Sequence, residues 1–269
     1  MQLSRLTKFS LNIELHKSQG LEIGPLAKPI IRKEMGPIFY IDHASQQDLK
    51  EKYKNDTNTD VNEIVPVDFV QTTGSLIETL GDRKFDYVIA SHVAEHVPDL
   101  VSWLQELSAV LQEDGVIRLA IPDKRYTFDF LRQLSDISDV LAAYIEKRKV
   151  SQPQRIIDFH LNYRVVDRVD AWVNPIDPVK LRSSANPDLI EIMNVAEEAL
   201  HGTYHDIHNW VVTQNTFAIL MQQLSMLNLI SLGLEWFIPV EKHDNEFFVS
   251  LKSMHQKIAI ESWEPMIKY

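Results

Sequence analysis

The chain has 269 residues, of which 45% are hydrophobic, and its formal net charge at pH 7 is −11. This length and composition suit one α/β domain with insertions and a sizeable buried core. The negative net charge and the scattered basic residues oppose binding to a polyanion, so we expect no nucleic-acid partner. The chain contains no cysteine, which excludes disulfides, thiolate nucleophiles and cysteine-based zinc sites.

Neither the start of the chain nor its most apolar stretch predicts a targeting or membrane segment. Residues 1–16 lack a long apolar core followed by a small-residue cleavage site, so we expect no secretory signal. Residues 217–240 are strongly apolar, but polar residues interrupt them, and the pattern predicts a helix followed by a strand. We therefore expect a cytoplasmic protein without a membrane span, and the choice between monomer and homodimer stays open.

Short apolar runs alternate with helical patterns through the first part of the chain. The runs cover residues 21–23, 37–41, 64–67, 85–90 and 116–121. Apolar residues at helical spacing predict helices between them, at 45–53 and 100–111. This alternation is typical of a parallel sheet with helical crossovers, whose strands read as continuous apolar runs because both of their faces are buried.

The alternation stops after residue 122. Residues 123–210 are too many for a structureless loop in a compact domain, and they contain helical patterns at 135–149 and 189–200. We therefore predict a mostly helical insertion between the fifth strand and the rest of the sheet.

The earlier pattern returns behind this insertion. A helix is predicted at 213–227, and two strands at 232–239 and 246–251 form a hairpin. The predicted core therefore consists of residues 1–122 and 211–269.

Candidate functional residues follow the ends of successive strands. In an open parallel sheet, ligands bind beyond the carboxyl ends of the strands. Gly24 follows the first run, where a ligand can approach the backbone closely because no side chain intervenes. Asp42 ends the second run, and a carboxylate there can accept both hydroxyls of a ribose. Asp68 follows the third run, within reach of an adenine amine, and Ser91 and His92 follow the fourth.

One block of sequence resembles a known family. The block is FDYVIASHVAEHVPDLVSWLQELSAVLQEDGVIRLAIPD, residues 85–123, and it is similar to the fourth strand, Glu-His-Val loop, helix and fifth strand of class I S-adenosylmethionine (SAM)-dependent methyltransferases. The segments LEIGP and YIDHAS resemble a bacterial, type 11-like subgroup of these enzymes. Glu22 and Gly24 match the family's acidic-x-Gly-x-Gly pattern, whose later glycine is absent here.

The resemblance implies both a fold and a cofactor. The fold is a Rossmann-like α/β sheet of seven mostly parallel strands, with helices on both faces and an antiparallel last strand. The cofactor is SAM, and the activity is methyl transfer. Because the subgroup often accompanies genes for surface polysaccharides, the resemblance implies a small-molecule acceptor, such as the hydroxyl of a sugar, a glycan precursor or a secondary metabolite. The residues expected to bind the cofactor are Glu22, Gly24, Asp42, His43, Asp68, Ser91 and His92.

A histidine cluster lies near the end of the predicted insertion. Methyl transfer to oxygen needs a deprotonated acceptor, and a histidine beside a carboxylate supplies a base at neutral pH. We therefore predict that His205 or His208, oriented by Asp206, is the catalytic base, and we predict no metal. Two other interpretations stay open. The cluster is a packed corner where the insertion rejoins the core, or His201, His205 and His208 share a helix face and bind a metal.

Charged and aromatic residues after the fifth strand predict contacts with the acceptor. Lys124 and Arg125 are suited to hold an anionic group, and Tyr126 lies beside them. The alternative for Arg125 is a surface ion pair with Asp129. A further aromatic set lines the acceptor pocket or forms the core of the insertion: Tyr163, Trp172, Tyr204 and Trp210.

Three other functional classes share features with this sequence. Residues 92–96 match the H-x-x-E-H pattern of zinc proteases, but that pattern needs one helix, whereas His92 ends a strand-like run and Pro98 follows. A nicotinamide-dependent dehydrogenase predicts G-x-G-x-x-G after the first strand, and that motif is absent. A non-catalytic module that keeps the fold is the remaining alternative, because the glycine pattern is incomplete.

Overall fold

A computed structural model describes residues 3–72 and 74–269 of the chain, with a seven-stranded sheet at its centre. The strands are β1 (Gly20–Ile23), β2 (Ile38–Asp42), β3 (Phe69–Val70), β4 (Phe85–Ser91), β5 (Leu111–Pro122), β6 (Leu232–Ile238) and β7 (Glu246–Ser253). Their order is β3-β2-β1-β4-β5-β7-β6. The first five strands pair in parallel, whereas β7 runs antiparallel to β5 and β6. This confirms the predicted Rossmann-like, mostly parallel sheet with an antiparallel last strand.

Helices surround the sheet. They are α1 (Arg5–Ser10), α2 (Gln46–Tyr53), α3 (Leu76–Leu80), α4 (Leu100–Ala109), α5 (Ile137–Glu146), α6 (Pro153–Asn162), α7 (Arg168–Val173), α8 (Pro178–Ser183), α9 (Leu189–Leu200), α10 (Gln214–Met226), α11 (Gln256–Ser262) and α12 (Glu264–Lys268). Several begin at a side chain that accepts a hydrogen bond from a backbone N–H of the first turn, such as Ser45 at α2, Asp99 at α4 and Thr213 at α10. Within the described part of the chain, no helix combines the length and the apolar character needed to cross a membrane.

The central strand β4 is buried on both of its faces. Val88 and Ala90 pack into one hydrophobic cluster with residues of α4 and α10, whereas Tyr87 and Ile89 pack into a second with Phe9 of α1. The exposed fraction of each of these residues is at most 1%. Complete burial of an aliphatic side chain stabilises a fold by about 1.5–3 kcal/mol. The carboxyl end of β4 is therefore held in place by packing on both faces of the sheet.

The segment between β5 and α10 consists of helices, as predicted, but these helices pack in two different places. Val140 and Ala143 of α5 join the main core. The helices α6 and α9 share a separate small cluster, which includes Ile156, Ala196 and Ala199. The predicted bounds of the insertion, residues 123–210, therefore stay a prediction. The helix α5 lies within these bounds, yet it packs with the core.

Two strand predictions were wrong in their bounds. The third strand is Phe69–Val70, not 64–67, because Pro66 has no N–H for a sheet hydrogen bond and Ile64 packs with Ala27 and Leu49 beside α2. The fifth strand begins at Leu111, five residues before the predicted run 116–121, and a register shift against β4 absorbs the extra residues. The helices α11 and α12 were not predicted.

Candidate functional site

The first two strands end side by side at the carboxyl edge of the sheet, where they place Gly24 and Asp42 together. Ile23 pairs with Ile41, and the Gly24 N–H donates to the Ile41 carbonyl over 2.9 Å. Gly24 has φ +63°, a left-handed conformation that glycine adopts without strain. A Cβ added there would meet one neighbouring atom, Val93 Cγ2, at 3.5 Å. The space above this strand end is therefore open to a ligand.

The Asp42 side chain is held at the end of β2 by its neighbour His43. Its Oδ1 accepts a hydrogen bond from the His43 N–H over 2.7 Å and lies 2.7 Å from His43 Nδ1. Among the described residues, none donates a hydrogen bond to Oδ2. Asp42 thus keeps one carboxylate oxygen for a hydroxyl group at the sheet edge, as the sequence predicts.

Glu22 acts on the loop that follows β1. It is 2% exposed, and its carboxylate accepts hydrogen bonds from Ile30 N over 2.7 Å and from Ile31 N over 3.1 Å. Burial raises the pKa of Glu22 to about 7, although these two N–H groups and the charge of Arg5 oppose the rise. Glu22 therefore shapes the loop around the ligand space, and both of its oxygens are engaged in doing so.

Asp68 was predicted to follow the third strand at the carboxyl edge, and this placement is wrong. Asp68 precedes β3, whose first residue, Phe69, pairs with Ile41. Its carboxylate accepts from the Tyr40 N–H over 2.8 Å and pairs with Lys33 Nζ at 2.6 Å. These contacts connect β2 with the start of β3. Asp68 therefore lies two residues before Val70, where β3 ends at the carboxyl edge.

Ser91 is the last residue of β4 and His92 follows it, next to the antiparallel strand β7. Arg5 bridges Ser91 Oγ, at 2.6 Å, and Glu246 Oε2, at 2.8 Å. His92 has φ +53° and bonds Glu246 Oε2 through Nε2 at 2.8 Å. Burial opposes the protonation of His92, but its contacts with Glu246 and Glu95 outweigh burial and raise its pKa to about 9. His92 is therefore a cation at neutral pH.

Glu95, His96 and His208 form a compact group below His92, which we call the Glu95 cluster. Nε2 of each of the two histidines lies 3.9 Å from Glu95 Oε1, and His92 Nδ1 lies 3.4 Å from the same oxygen. Glu95 is 1% exposed, and within the described residues neither of its carboxylate oxygens has a hydrogen-bond partner. Burial opposes the ionisation of Glu95, but the surrounding imidazoles hold its pKa below the ordinary value.

The segment that follows α9 is fixed to the Glu-His-Val loop, and this brings His208 to the cluster. The N–H groups of Asn209 and Trp210 both donate to the Glu95 carbonyl, over 2.7 and 3.2 Å. The Asn209 side chain donates to the His96 carbonyl over 2.8 Å, and Trp210 Nε1 donates to the Val97 carbonyl over 2.7 Å. Four hydrogen bonds thus join the end of the insertion to the loop after β4.

A separate carboxylate holds each histidine of the Glu95 cluster. His208 Nδ1 lies 2.5 Å from Asp129 Oδ2, and His96 Nδ1 lies 2.9 Å from Asp206 Oδ1. The bond from His96 lowers the pKa of Asp206 to about 2. The prediction that Asp206 orients His205 or His208 is therefore wrong, because Asp206 pairs with His96 and Asp129 orients His208.

His205 lies outside this arrangement. Its Nε2 is 3.5 Å from Glu198, at the end of α9, and its backbone carbonyl accepts from Ser151. His201 caps α9. Of the three histidines in HGTYHDIHNW, only His208 reaches the Glu95 cluster, so the predicted helix face of three histidines does not form.

Two neighbouring cavities open at this edge, and His92 lines both of them. The smaller, of about 240 Å³, is lined by Tyr126, Phe128, Tyr163 and His208 among others. The larger, of about 490 Å³, has the charged groups Arg5, Arg168, Lys242, Asp244 and Glu246 in its wall. With His92 protonated, the positive charges in the wall of the larger cavity outnumber the negative ones.

Of the three residues predicted to contact the acceptor, only Tyr126 lines one of these cavities. Arg125 forms a two-point ion pair with Asp123, at 2.8 Å for both contacts, and not with Asp129. Lys124 Nζ donates to the Arg132 carbonyl. The cationic groups at the larger cavity come instead from α1, α7 and the β6–β7 loop.

The aromatic residues of the insertion divide between the cavity and the core. Tyr126 and Trp172 stack with their ring centroids 4.4 Å apart, and Tyr163 stacks on Phe128 at 4.8 Å. Trp210 is buried in the main core. The sequence missed the Glu95 cluster because its members come from two distant segments, although the Glu-His-Val motif was itself visible.

Comparison with known proteins identifies part of the chain. Residues 26–119 match the family model of a methyltransferase domain. SAM is the cofactor of such a domain, and the described residues fit it, because the space at Gly24 and the free oxygen of Asp42 lie where its nucleoside would bind. The match favours neither the dehydrogenase nor the non-catalytic alternative.

Solved structures with similar backbones include a protein named as a putative zinc-dependent alcohol dehydrogenase from Rhodobacter sphaeroides. Its sequence is 14% identical, the alignment covers 94% of this chain and 92% of that chain, and the TM-score is 0.47. The methyltransferase CcbJ from Streptomyces caelestis has 10% identity, coverages of 93% and 89%, and a TM-score of 0.47. A SAM-dependent methyltransferase from Clostridium acetobutylicum has 12% identity, coverages of 94% and 93%, and a TM-score of 0.44. These low TM-scores carry no functional argument. No curated protein matches the chain.

Proposed function

We propose that the protein transfers a methyl group from SAM, bound above Gly24 and Asp42, to a hydroxyl group of a small polar acceptor in the cavity lined by Tyr126 and His208. One observation carries this proposal. The cavity with His208 opens beside the end of β4, on the same sheet edge where β1 and β2 present Gly24 and Asp42. Donor and acceptor would therefore meet at one edge of one sheet.

The lining of the two cavities supports a sugar or glycan precursor as the acceptor. The rings of Tyr126, Phe128 and Tyr163 offer apolar faces on which the C–H face of a sugar can pack. The larger cavity carries Arg168 and Lys242, whose charges suit an anionic group such as a phosphate or carboxylate on the same acceptor. The acidic character of the chain as a whole does not favour RNA or DNA.

The residues of the chain divide the work of this reaction. The cofactor supplies an activated methyl group when bound. Asp42 would hold its ribose, Glu22 shapes the loop after β1, and His43 fixes the Asp42 carboxylate. The stacked rings of the cavity hold the acceptor in line with the methyl group, an arrangement that contributes much of the rate in a direct transfer.

His208 is the proposed group for removal of the acceptor proton. Asp129 engages Nδ1, so the lone pair of His208 lies on Nε2. A base in this position contributes roughly 10²–10⁴ in rate. His205 and Asp206, the other residues predicted for catalysis, do not line the cavity: Asp206 acts on His96, and His205 packs beside α9.

The cofactor part of the proposal is tested by calorimetric titration of SAM. We expect Asp42→Asn to weaken SAM binding by about 10-fold or more, because a charge-assisted hydrogen bond to the ribose is lost. The matched control is Asp68→Asn, which removes a carboxylate of the same sheet away from its carboxyl edge and should keep the wild-type affinity. No SAM binding by the wild type, or equal affinities in both variants, would refute the assignment.

The acceptor part is tested by transfer of a labelled methyl group to a panel of sugars, sugar phosphates and uronic acids. We expect transfer to a hydroxyl of an anionic member of this panel. We also expect His208→Ala to lower kcat at least 100-fold, whereas His205→Ala keeps the wild-type rate. Equal rates in the two variants would remove His208 from the reaction.

A further inference from the structure

The Glu95 cluster has the composition and the spacing of a metal site. We propose that Glu95, His96 and His208 bind a divalent transition-metal cation, with Zn²⁺ as the reference ion, at the base of the acceptor cavity. The binding of the cation is independent of the proposed function. Its role in the reaction, given below, rests on that function.

The ligand atoms stand close to the distances that such an ion needs. His96 Nε2 and His208 Nε2 each lie 3.9 Å from Glu95 Oε1, and one ligand atom of each residue lies within 4.8 Å of those of the other two. Ligands bound at about 2.1 Å in a tetrahedral site are about 3.4 Å apart. Small rotations of these side chains are sufficient to close the site around an ion.

A carboxylate stands at the Nδ1 side of each imidazole. Asp129 is hydrogen-bonded to Nδ1 of His208, whereas Asp206 Oδ1 lies 2.9 Å from Nδ1 of His96 as an ion-pair contact without hydrogen-bond alignment. With the proton on Nδ1, the lone pair of each ring lies on Nε2, the atom that faces Glu95. A carboxylate behind each metal-binding histidine is the usual arrangement in zinc sites, where it fixes the tautomer and raises the basicity of the ligand.

The third ligand, Glu95, is buried without a hydrogen bond from the described residues, and its nearest polar neighbours are imidazole nitrogens 3.4–3.9 Å from Oε1. Its side chain is 1% exposed, and neither oxygen has a hydrogen-bond partner in the described part of the chain. Buried carboxylates are usually paired, hydrogen-bonded or bound to metals. The His92 ring lies 3.4 Å from Oε1, but its other nitrogen is engaged by Glu246 at 2.8 Å.

The charges around the cluster favour a cation. Four carboxylates face the imidazoles from different elements: Glu95 on the loop after β4, Asp129 after β5, Asp206 after α9, and Glu246 on β7. Two guanidinium groups pair with these carboxylates, Arg5 with Glu246 and Arg132 with Asp129. The four carboxylates therefore outnumber the two guanidinium groups that pair with them.

The donor set selects the kind of ion. Two imidazole nitrogens and one carboxylate oxygen suit Zn²⁺, Co²⁺, Fe²⁺ or Ni²⁺, whereas Mg²⁺ and Ca²⁺ prefer oxygen ligands alone. Three protein ligands leave at least one position for an exogenous oxygen. His208 lines the acceptor cavity, so that position faces the acceptor hydroxyl. A hydroxyl bound there would lose its proton to solvent near neutral pH, and His208 would then act as a ligand in place of a base.

The proposal is tested with the full chain, treated with a chelator and dialysed, then titrated with ZnCl₂. Co²⁺ serves as a second probe, since its visible absorption reports the geometry of its ligands. We expect the wild type to bind Zn²⁺ at one saturable site and Co²⁺ to show the intense bands of a four-coordinate site. Glu95→Gln, His96→Ala and His208→Ala should weaken binding by about 100-fold or more, and Asp206→Asn by about 10-fold. The matched control is His205→Ala, which should bind as the wild type does.

SAM affinity, measured on the same samples, separates this proposal from the proposed function. Wild-type SAM binding without saturable Zn²⁺ binding would overturn the metal site and leave His208 as a base. Equal Zn²⁺ affinity in His96→Ala, His208→Ala and His205→Ala would also overturn it. Circular dichroism of each variant checks its fold, and Glu95→Gln keeps the proposal testable if a histidine variant fails to fold, because it keeps the shape of the side chain.

Discussion

Glu22 makes a quantitative prediction about stability and pH. Its pKa is raised from 4.5 to about 7 in the folded chain because burial disfavours the carboxylate. A shift of about 2.5 units corresponds to about 3 kcal/mol. The folded state keeps a proton between pH 4.5 and 7 that the unfolded state releases, so the stability contributed by Glu22 is present below pH 4.5 and is lost as the pH rises through 7.

The variant Glu22→Gln does not ionise, so its stability should not fall for this reason as the pH rises. Its amide faces the Ile30 and Ile31 N–H groups with only one acceptor oxygen, a cost of about 1–3 kcal/mol that does not depend on pH. The free energy of unfolding of the variant minus that of the wild type should therefore rise by up to about 3 kcal/mol between pH 5 and pH 8.

Urea unfolding at several pH values measures this difference, with changes in all other groups cancelling between the two proteins. Glu113→Gln, an exposed position on β5, is the matched control and should give a difference that stays flat with pH. A flat difference for Glu22→Gln as well would show that Glu22 is ionised in the folded chain at pH 5. The account of its burial given above would then be wrong.

Three further experiments test the site and the fold. Gly24→Ala and Gly81→Ala both introduce a side chain at φ +63°, so each should lower the free energy of unfolding, measured in urea, by about 1–2 kcal/mol. Only Gly24→Ala should also weaken SAM binding, measured by calorimetry. Arg118→Met removes two buried hydrogen bonds, to Glu235 and to the Leu11 carbonyl, and should lower stability by about 2 kcal/mol; an unchanged urea midpoint would contradict this. Thr213→Ala deletes the cap of α10 and should cost about 1 kcal/mol, with helix content by circular dichroism as the check.

The sheet was predictable because its strands carry an unambiguous signal. Residues such as Val88 and Ile89 are buried on opposite faces, and this double burial produces the continuous apolar run. The same argument placed Gly24 and Asp42 at the sheet edge. The argument failed for Asp68 because the apolar run before it, residues 64–67, is not a strand. That run packs beside α2, and Pro66 prevents it from pairing in the sheet.

The Glu95 cluster was less predictable because it depends on contacts between distant segments. The helical spacing of His201, His205 and His208 suggested a shared face, but the chain is not helical after residue 202. In the irregular segment that follows, Asp206 pairs with His96 and His208 joins the Glu95 cluster, while Ile207 between them packs with α6 and α9. The partner Asp129 lies far away along the chain, and no local pattern connects it to His208.

The hydrogen bonds of Asn209 and Trp210 to the loop after β4 have a consequence for engineering the protein. Because these two residues fasten the end of the insertion to Glu95, His96 and Val97, the helices before them can be exchanged only if the anchor is kept. A chimaera that replaced residues 153–200, and kept α5 in the core as well as Asn209 and Trp210, would change the wall of the smaller cavity while leaving the sheet in register. A replacement segment that lacked Asn209 and Trp210 would have to form four equivalent hydrogen bonds to the loop after β4.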